Sequence, residues 1–455
     1  MIMNHMIFWL ILIIILSLSF IWSLRQKTSI SAFLVGERNI YSLMGLLTVA
    51  VAWTWAPALL VSSQKAYELG LNGFLWFSIP NVFAIVLFYF LSKRMHKINP
   101  EGYTLPEFIR FRTEGLSDKF YIITIFIVQI YAIIINLIGS TLILQSITGL
   151  SKTIVILAIS IVALLIVSVK GLFSSLGVDF FKSALIIILG ILFTSIFSEF
   201  SPCSFIGKSG SGLNFLDPMT IFAFGIPTAI SLISAITIDQ QQWQRSFALR
   251  KSANLKIVYF GAASFFALII SCMALPGFIG YSLNIEVKNT QLIALNVMQN
   301  SFPPLLTNFL MAVILTSLIA VICAALSAAA SVWTIDLKKD KSIFSMRLAM
   351  IILILIASSI VFIQNLQIIW IQMFVGSFRS ALLFPSFLFI FGENLSKSQI
   401  KSLNVTIYIG MIVGPLIFLV GLFTSMSYLY TVGAVFPIAI SLLGWFSLRY
   451  IGEQR

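Results

Sequence analysis

Thirteen runs of about 20 apolar residues, each bounded by short polar turns, follow one another along this chain. They fall near residues 6–24, 42–63, 73–92, 121–146, 153–169, 180–198, 219–238, 257–281, 304–333, 347–364, 368–391, 404–423 and 428–448. A run of that length crosses the hydrocarbon of a bilayer as a helix, and lipid offers no partner to backbone N–H and C=O groups, so helical bonding within each run is the state that satisfies them. With 59% apolar and 9% charged residues over 455 positions, little polar surface is left for a soluble domain. The expected fold class is an all-α polytopic membrane protein of about 13 transmembrane helices, forming one transmembrane domain over residues 1–455.

Basic residues set the expected orientation. With the loop after the first run assigned to the cytoplasm, 23 Lys and Arg fall inside, and Lys65, Lys152, Lys208 and Lys288 fall outside. The amino terminus is then outside and the carboxyl terminus cytoplasmic, in a plasma (inner) membrane. The first run lacks a basic start and a small-residue cleavage site, so it reads as a signal anchor. The net charge of +13 is spread over short loops, which leaves no basic block for nucleic acid. Cys203, Cys272 and Cys323 are too scattered for a metal cluster, and His5 and His96 lie outside the runs. No set of titratable groups at one depth suggests an enzyme, and no cofactor is expected.

Two runs contain a proline near the middle. Pro57 sits in AWTWAPALL, and Phe224, Gly225 and Pro227 sit in the run 219–238, which starts five runs later. A mid-span proline removes a helix hydrogen bond and crowds the preceding turn. Taken singly, each is an ordinary kink satisfied by neighbouring helices. As a pair at corresponding positions they point to a secondary transporter with a binding site at the bilayer midplane. Arg379 lies halfway along the run 368–391, and an ionisable group at that depth must face protein, water or a ligand. Gln129, Asn136, Gln145, Thr228, Ser231 and Ser234 are further mid-span polar groups that can line a path or hold helices together.

Five segments, in order, are similar to signatures of the solute:sodium symporter family: ISAFLVGERNIYSLMGLL from Ile30, GYTLPEFIRFR from Gly102, GLFSSLGVDFFKSALII from Gly171, DQQQWQRSFALRKS from Asp239 and WTIDLKK from Trp333. The pair TWAPALLVSS and YELGLNGFLWFS resembles the urea active transporter branch. The resemblance implies the LeuT-type fold, with two five-helix inverted repeats over about 42–198 and 219–391, interrupted second and seventh spans, and peripheral helices at 6–24, 404–423 and 428–448. It implies a sodium site built on the carbonyls of Ala52, Trp55 and Ser317, with Thr54 and Asp179 nearby, and two hydroxyl ligands further along the ninth span. Those two positions are Ala320 and Val321, which bring no side-chain oxygen, so coupling to Na⁺ or to H⁺ stays open. Lys182 stands where the family has a glutamine; it reads either as a loop anchor or, like Arg379, as a fixed cation in place of a bound one.

The expected function is a sodium:solute symporter-like secondary transporter that imports a small polar solute, urea-like, by alternating access. Its site would be formed by Trp53, Trp55, Pro57, Gln129, Phe224, Gly225, Thr228 and Arg379, and its partners are a small solute, a monovalent cation and the bilayer. The alternatives are a proton-coupled or uncoupled transporter of a small carboxylate or amino acid, which Arg379 would suit, and a solute sensor on the same fold. The lack of a signalling domain before Arg455 weighs against the sensor.

Overall fold

A computed structural model describes residues 2–25, 29–180, 182–183, 202–363, 367–392 and 395–453. The expected sixth span lies outside the described residues except at its start. Every other apolar run is helical, and the described residues form no strand beyond an isolated bridge between Ile40 and Leu249. Among the described residues ten helices are long and apolar enough to cross a membrane, where the sequence leads to thirteen over the whole chain. The expected sixth span is outside that count, and Pro57–Ile98 runs through parts of the expected second and third spans.

The helix Pro304–Val332 is the hub. Its residues are buried almost throughout, and it packs against Ile2–Leu24, Asp118–Thr148, Lys152–Lys170 and Ile343–Val361. Ala320, Ala324, Ala325 and Ala328–Ala330 supply little bulk, which lets those neighbours approach closely. Lys397–Thr424 and Tyr428–Glu453 pack on each other and expose Leu416, Val420, Leu443 and Phe446.

The boundary between the second and third apolar runs is a kink at Gly70, with φ +61° inside Ser62–Ile98. A side chain there is excluded, because a Cβ would lie 2.0 Å from the Phe205 carbonyl oxygen. The backbone groups opened by the kink are taken up by the loop that crosses it. Lys208 N–H donates to Tyr67 O at 2.9 Å, Ser209 N–H to Glu68 O at 2.8 Å, and Asn72 N–H to Gly212 O at 2.9 Å. That accounting meets the rule that buried backbone groups find partners.

Helix starts carry their own signals. Asp217 accepts from Thr220 N–H at 3.0 Å with Pro218 at the first helical position, and Ser396 forms a capping box with Gln399.

Candidate functional site

The helix that begins at Ser42 stops at Ala52 and resumes at Ala56. Pro57 stands at the first turn of the second half, where its missing N–H costs nothing, so the unwound stretch is Trp53–Trp55, just before the proline. Three tethers hold the break. Ala56 N–H donates to Asn136 Oδ1 at 3.0 Å, Trp53 Nε1 to Asn81 Oδ1 at 3.0 Å, and Trp55 Nε1 to the Ala52 carbonyl at 2.6 Å. Each uses a polar group from a neighbouring span, or the chain itself, to satisfy an atom that lipid could not.

The expected interruption at Phe224–Pro227 takes a different form. Ile221–Gly225 is a π-turn that runs directly into the helix Ile226–Ile238, with no loss of helical backbone. Proline removes one N–H from this ladder, and the Phe222 carbonyl accepts instead from Thr431 Oγ1 at 2.7 Å. A π-turn therefore absorbs the proline that the sequence reads as an unwinding point.

Beside the break lies a small cavity of about 30 Å³, lined by Trp53, Trp55, Pro57, Ala58, Asn81, Tyr131, Leu232, Ala235, Gln372 and Arg379. Two tryptophans and a tyrosine form its aromatic wall: Trp53 and Trp55 ring centroids are 6.0 Å apart, and Trp55 and Tyr131 5.9 Å. Arg379 caps the Tyr131 ring at 5.6 Å, a cation–π contact, and its Nη2 donates to Ser231 O at 2.6 Å and Ser231 Oγ at 2.8 Å. Its Nη1, and both polar atoms of the Gln372 side chain, are buried without a hydrogen-bond partner. Buried polar atoms of this kind are normally paired, so three of them beside one cavity mark a place built for a polar guest. The close approach of this helix to Ile226–Ile238 depends on Gly376, where a Cβ would lie 2.4 Å from Ser231 Cβ.

Lys182 is not a loop anchor. Its side chain is fully buried, and Nζ donates to the carbonyls of Val51 at 2.9 Å, Thr54 at 3.3 Å and Ser317 at 3.3 Å. The carbonyls expected to hold an ion were those of Ala52, Trp55 and Ser317. Ala52 O accepts the Trp55 indole and Trp55 O accepts Leu59 N–H, and the carbonyls that receive the ammonium lie one residue earlier, at Thr54 and at Val51, which also accepts Thr54 N–H at 3.0 Å. Ala320 and Val321 are buried and apolar, while the Thr54, Thr316 and Ser317 hydroxyls donate to carbonyls of their own helices.

One end of the molecule is closed by a polar plug. The helix Gln240–Ala248 is buried along its whole length despite four glutamines and an arginine. Arg245 Nη2 meets Asp179 Oδ2 at 2.6 Å, Arg245 Nη1 reaches Gln241 O, Gln241 Nε2 reaches Gln129 Oε1 at 2.9 Å, and Gln129 Nε2 reaches Asp239 Oδ1 at 3.1 Å. Toward the other end of Asp118–Thr148, an open cavity of about 600 Å³ is bordered by Thr141, Gln145, Lys152, Lys288, Thr290 and Gln367.

Of the residues singled out in the sequence, the structure brings Trp53, Trp55, Pro57 and Arg379 to the small cavity. Gln129 belongs to the plug, Gly225 packs on Trp76, Phe224 lies under the Lys65 ammonium, and Thr228 is buried without a partner; none of these four lines the cavity. Asp179 serves the Arg245 pair, and Asn81, Tyr131 and Gln372 are lining residues that the sequence reading passed over. Gln372 had a legible signal, since it precedes Arg379 by seven residues and so shares its helix face.

The sequence matches the sodium:solute symporter family over residues 33–414. The chain belongs to the sodium:solute symporter family. Curated relatives include "Probable urea active transporter 1" of Schizosaccharomyces pombe, 23% identical over 54% of this chain and 40% of its own length, and "Urea-proton symporter DUR3" of Oryza sativa subsp. japonica, 20% identical over 48% and 35%. The aligned stretches thus span less than half the length of these relatives. Among solved structures, a substrate-bound, outward-open Na⁺-coupled sialic acid symporter matches with a TM-score of 0.75 at 15% identity, covering 97% of both chains. A nucleobase-cation-symport-1 family transporter, closed with bromovinylhydantoin bound, matches with a TM-score of 0.63 at 11% identity over 92% of this chain and 94% of its own. The chain therefore has the LeuT-type fold and is a multi-pass membrane protein.

Proposed function

We propose that this symporter imports a small, neutral, polar solute of the urea type, driven by a monovalent cation gradient. The observation that carries the reading is the pairing of Gln372 and Arg379, whose unpartnered amide and guanidinium atoms sit beside a cavity of about 30 Å³. A single water needs about 10–15 Å³ on the same measure, so the space suits a solute of a few heavy atoms. Urea offers a carbonyl oxygen to Arg379 Nη1 and Gln372 Nε2, and N–H groups to Gln372 Oε1. Its flat face fits against Trp53, Trp55 and Tyr131. Relatives named as urea transporters support the same solute class.

Arg379 also favours a second reading, a small carboxylate held by a charge-assisted bond. Counterflow in proteoliposomes separates the two. Vesicles loaded with unlabelled urea should take up ¹⁴C-urea, and acetamide should compete where acetate does not. Competition by acetate alone selects the carboxylate, and counterflow of neither solute removes both readings.

A further inference from the structure

The open cavity of about 600 Å³ is built on the same two helices as the small one. Tyr131, which walls the small cavity, is followed on its helix by Ile138, Leu142 and Gln145 at steps of seven, eleven and fourteen residues, so one helix face serves both spaces. The first of those steps is about 10 Å along the axis. On the second helix, Gln372 and Arg379 line the small cavity, and Gln367, at the cap position, lines the open one. Gln291 also borders the open cavity, and its Oε1 accepts Ile368 N–H at 3.1 Å, which pins the loop around Lys288 to the start of that helix.

Charge around this cavity has one sign. Lys152 and Lys288 border it, and among the described lining residues there is no carboxylate. Lys152 Nζ donates to the Ile363 carbonyl at 3.2 Å, Lys288 is exposed, and among the described residues neither ammonium is in an ion pair. Glu286 belongs to the same loop but does not line the cavity. Glu68, which accepts from the lining residue Thr290, spends its carboxylate on Lys65 Nζ at 2.6 Å and Gln64 Nε2 at 2.9 Å. Ile138, Leu142 and Val361 supply apolar wall, and a cleft of one charge sign between such walls concentrates ions of the other sign. Thr141 adds a directed donor. Ser140, Ser146 and Thr148 of the same helix return their hydroxyls to carbonyls four residues back, at 2.7, 2.7 and 2.6 Å. The Thr141 hydroxyl, on a residue only 4% exposed, has no partner and borders the cavity.

We propose that this cavity is a second binding site, for a small organic anion: a carboxylate or sulfonate head on a short apolar body. The head takes charge-assisted bonds from Lys152 and Lys288 and a hydrogen bond from Thr141, and the body lies on Ile138, Leu142 and Val361. A volume of about 600 Å³ falls within the roughly 300–1,000 Å³ of ordinary small-molecule sites. The cavity stands between the small one and the end of Asp118–Thr148 away from the Gln240–Ala248 plug, so an occupant obstructs the solute on that side. The obstruction rests on the transporter reading above, whereas the binding does not.

Benzenesulfonate, whose charge is fixed, tests the site on the full-length, purified protein. The melting temperature in detergent is followed as sodium benzenesulfonate replaces NaCl at constant ionic strength, with benzenesulfonamide as a neutral body of similar shape. A saturable rise of several degrees is expected with the anion and none with the amide. Lys152→Gln combined with Lys288→Gln should abolish the rise. Lys288→Gln alone, at an exposed position that does not endanger folding, should raise the half-saturating concentration severalfold, and so should Thr141→Val, which removes the unpartnered hydroxyl at equal volume. No rise in the native protein, an equal rise with benzenesulfonamide, or a rise that survives in the double variant overturns the proposal; the last would place the anion at Arg379. In proteoliposomes, benzenesulfonate on both sides of the membrane should slow ¹⁴C-urea counterflow severalfold in the native protein and leave that of the double variant unchanged. Counterflow that saturating anion does not slow overturns the placing of the site on the solute's way. Absence of urea counterflow is a failure of the solute reading, and the melting temperatures then decide the anion site by themselves.

Discussion

Arg379 fastens Nη2 to the carbonyl and hydroxyl of Ser231, at 2.6 and 2.8 Å, and keeps Nη1 free of any hydrogen-bond partner beside the cavity. A planar fork can do both at once, whereas the point charge of lysine cannot. Arg379→Lys is therefore expected to raise the KM of solute uptake at least tenfold, about 1.4 kcal/mol in binding. Uptake kinetics at matched protein density check this; an unchanged KM shows that Nη1 takes no part in holding the solute.

Gln372 is expected to separate stability from activity. Its side-chain amide is buried and unpaired, while its backbone carbonyl accepts from Ser231 Oγ at 2.9 Å, a bond that any residue at this position retains. Gln372→Leu removes two unsatisfied atoms at similar volume, so the melting temperature should hold or rise, by up to about 1 kcal/mol of stability. Transport should fall severalfold. Parallel thermal unfolding and uptake assays read the two effects, and equal loss of both would mark the amide as structural.

Asn136 supplies the acceptor for Ala56 N–H at the restart of the broken helix, at 3.0 Å. Asn136→Ala leaves that buried N–H without a partner, at a cost of about 1–3 kcal/mol. Asn136→Asp keeps an acceptor oxygen in place and is expected to recover part of the loss. Denaturation in detergent should rank the three proteins as native, then Asp, then Ala.

Pro57→Ala is expected to be mild. The break lies at Trp53–Trp55 and is held by Asn136, Asn81 and Lys182, so an added N–H at position 57 does not rewind it. A change in stability below about 1 kcal/mol and uptake within twofold of native are expected, because proline at the first helical position mainly restricts the unfolded chain. A large loss of transport would show that the proline itself keeps the break open.

Much of this was legible from residue type and position. Proline in AWTWAPALL marked a break, because no other residue lacks the N–H that a helix ladder needs. Arg379 marked the cavity, because a charge in the middle of an apolar run must be spent on something specific. Lys182 was harder to place, since a lysine at the start of a run looks the same whether it snorkels to water or turns inward to backbone carbonyls, and carbonyls have no sequence signature. Gln129 and Gln372 illustrate the same limit. Both are mid-span glutamines; one is hydrogen-bonded to Asp239 and Gln241 and the other is left open, and only the packing of distant helices decides which.

The π-turns after Ala56 and at Ile221–Gly225 have a consequence for evolution along these two spans. Ser62 N–H reaches Pro57 O and Ile226 N–H reaches Ile221 O, five residues back in each case, so each turn holds one residue more than an α-turn would. One residue is about 100° of helix rotation. Deleting a single residue inside either turn lets it close as an α-turn with the later side chains on their present bearing, whereas a deletion in the regular helix between Ile226 and Ser231 swings Ser231 away from Arg379, and the hydropathy of the run hardly changes in either case. In these spans the frame of reading is geometric: a one-residue gap in a comparison between relatives keeps the same face inward where a π-turn takes it up, and changes that face anywhere else.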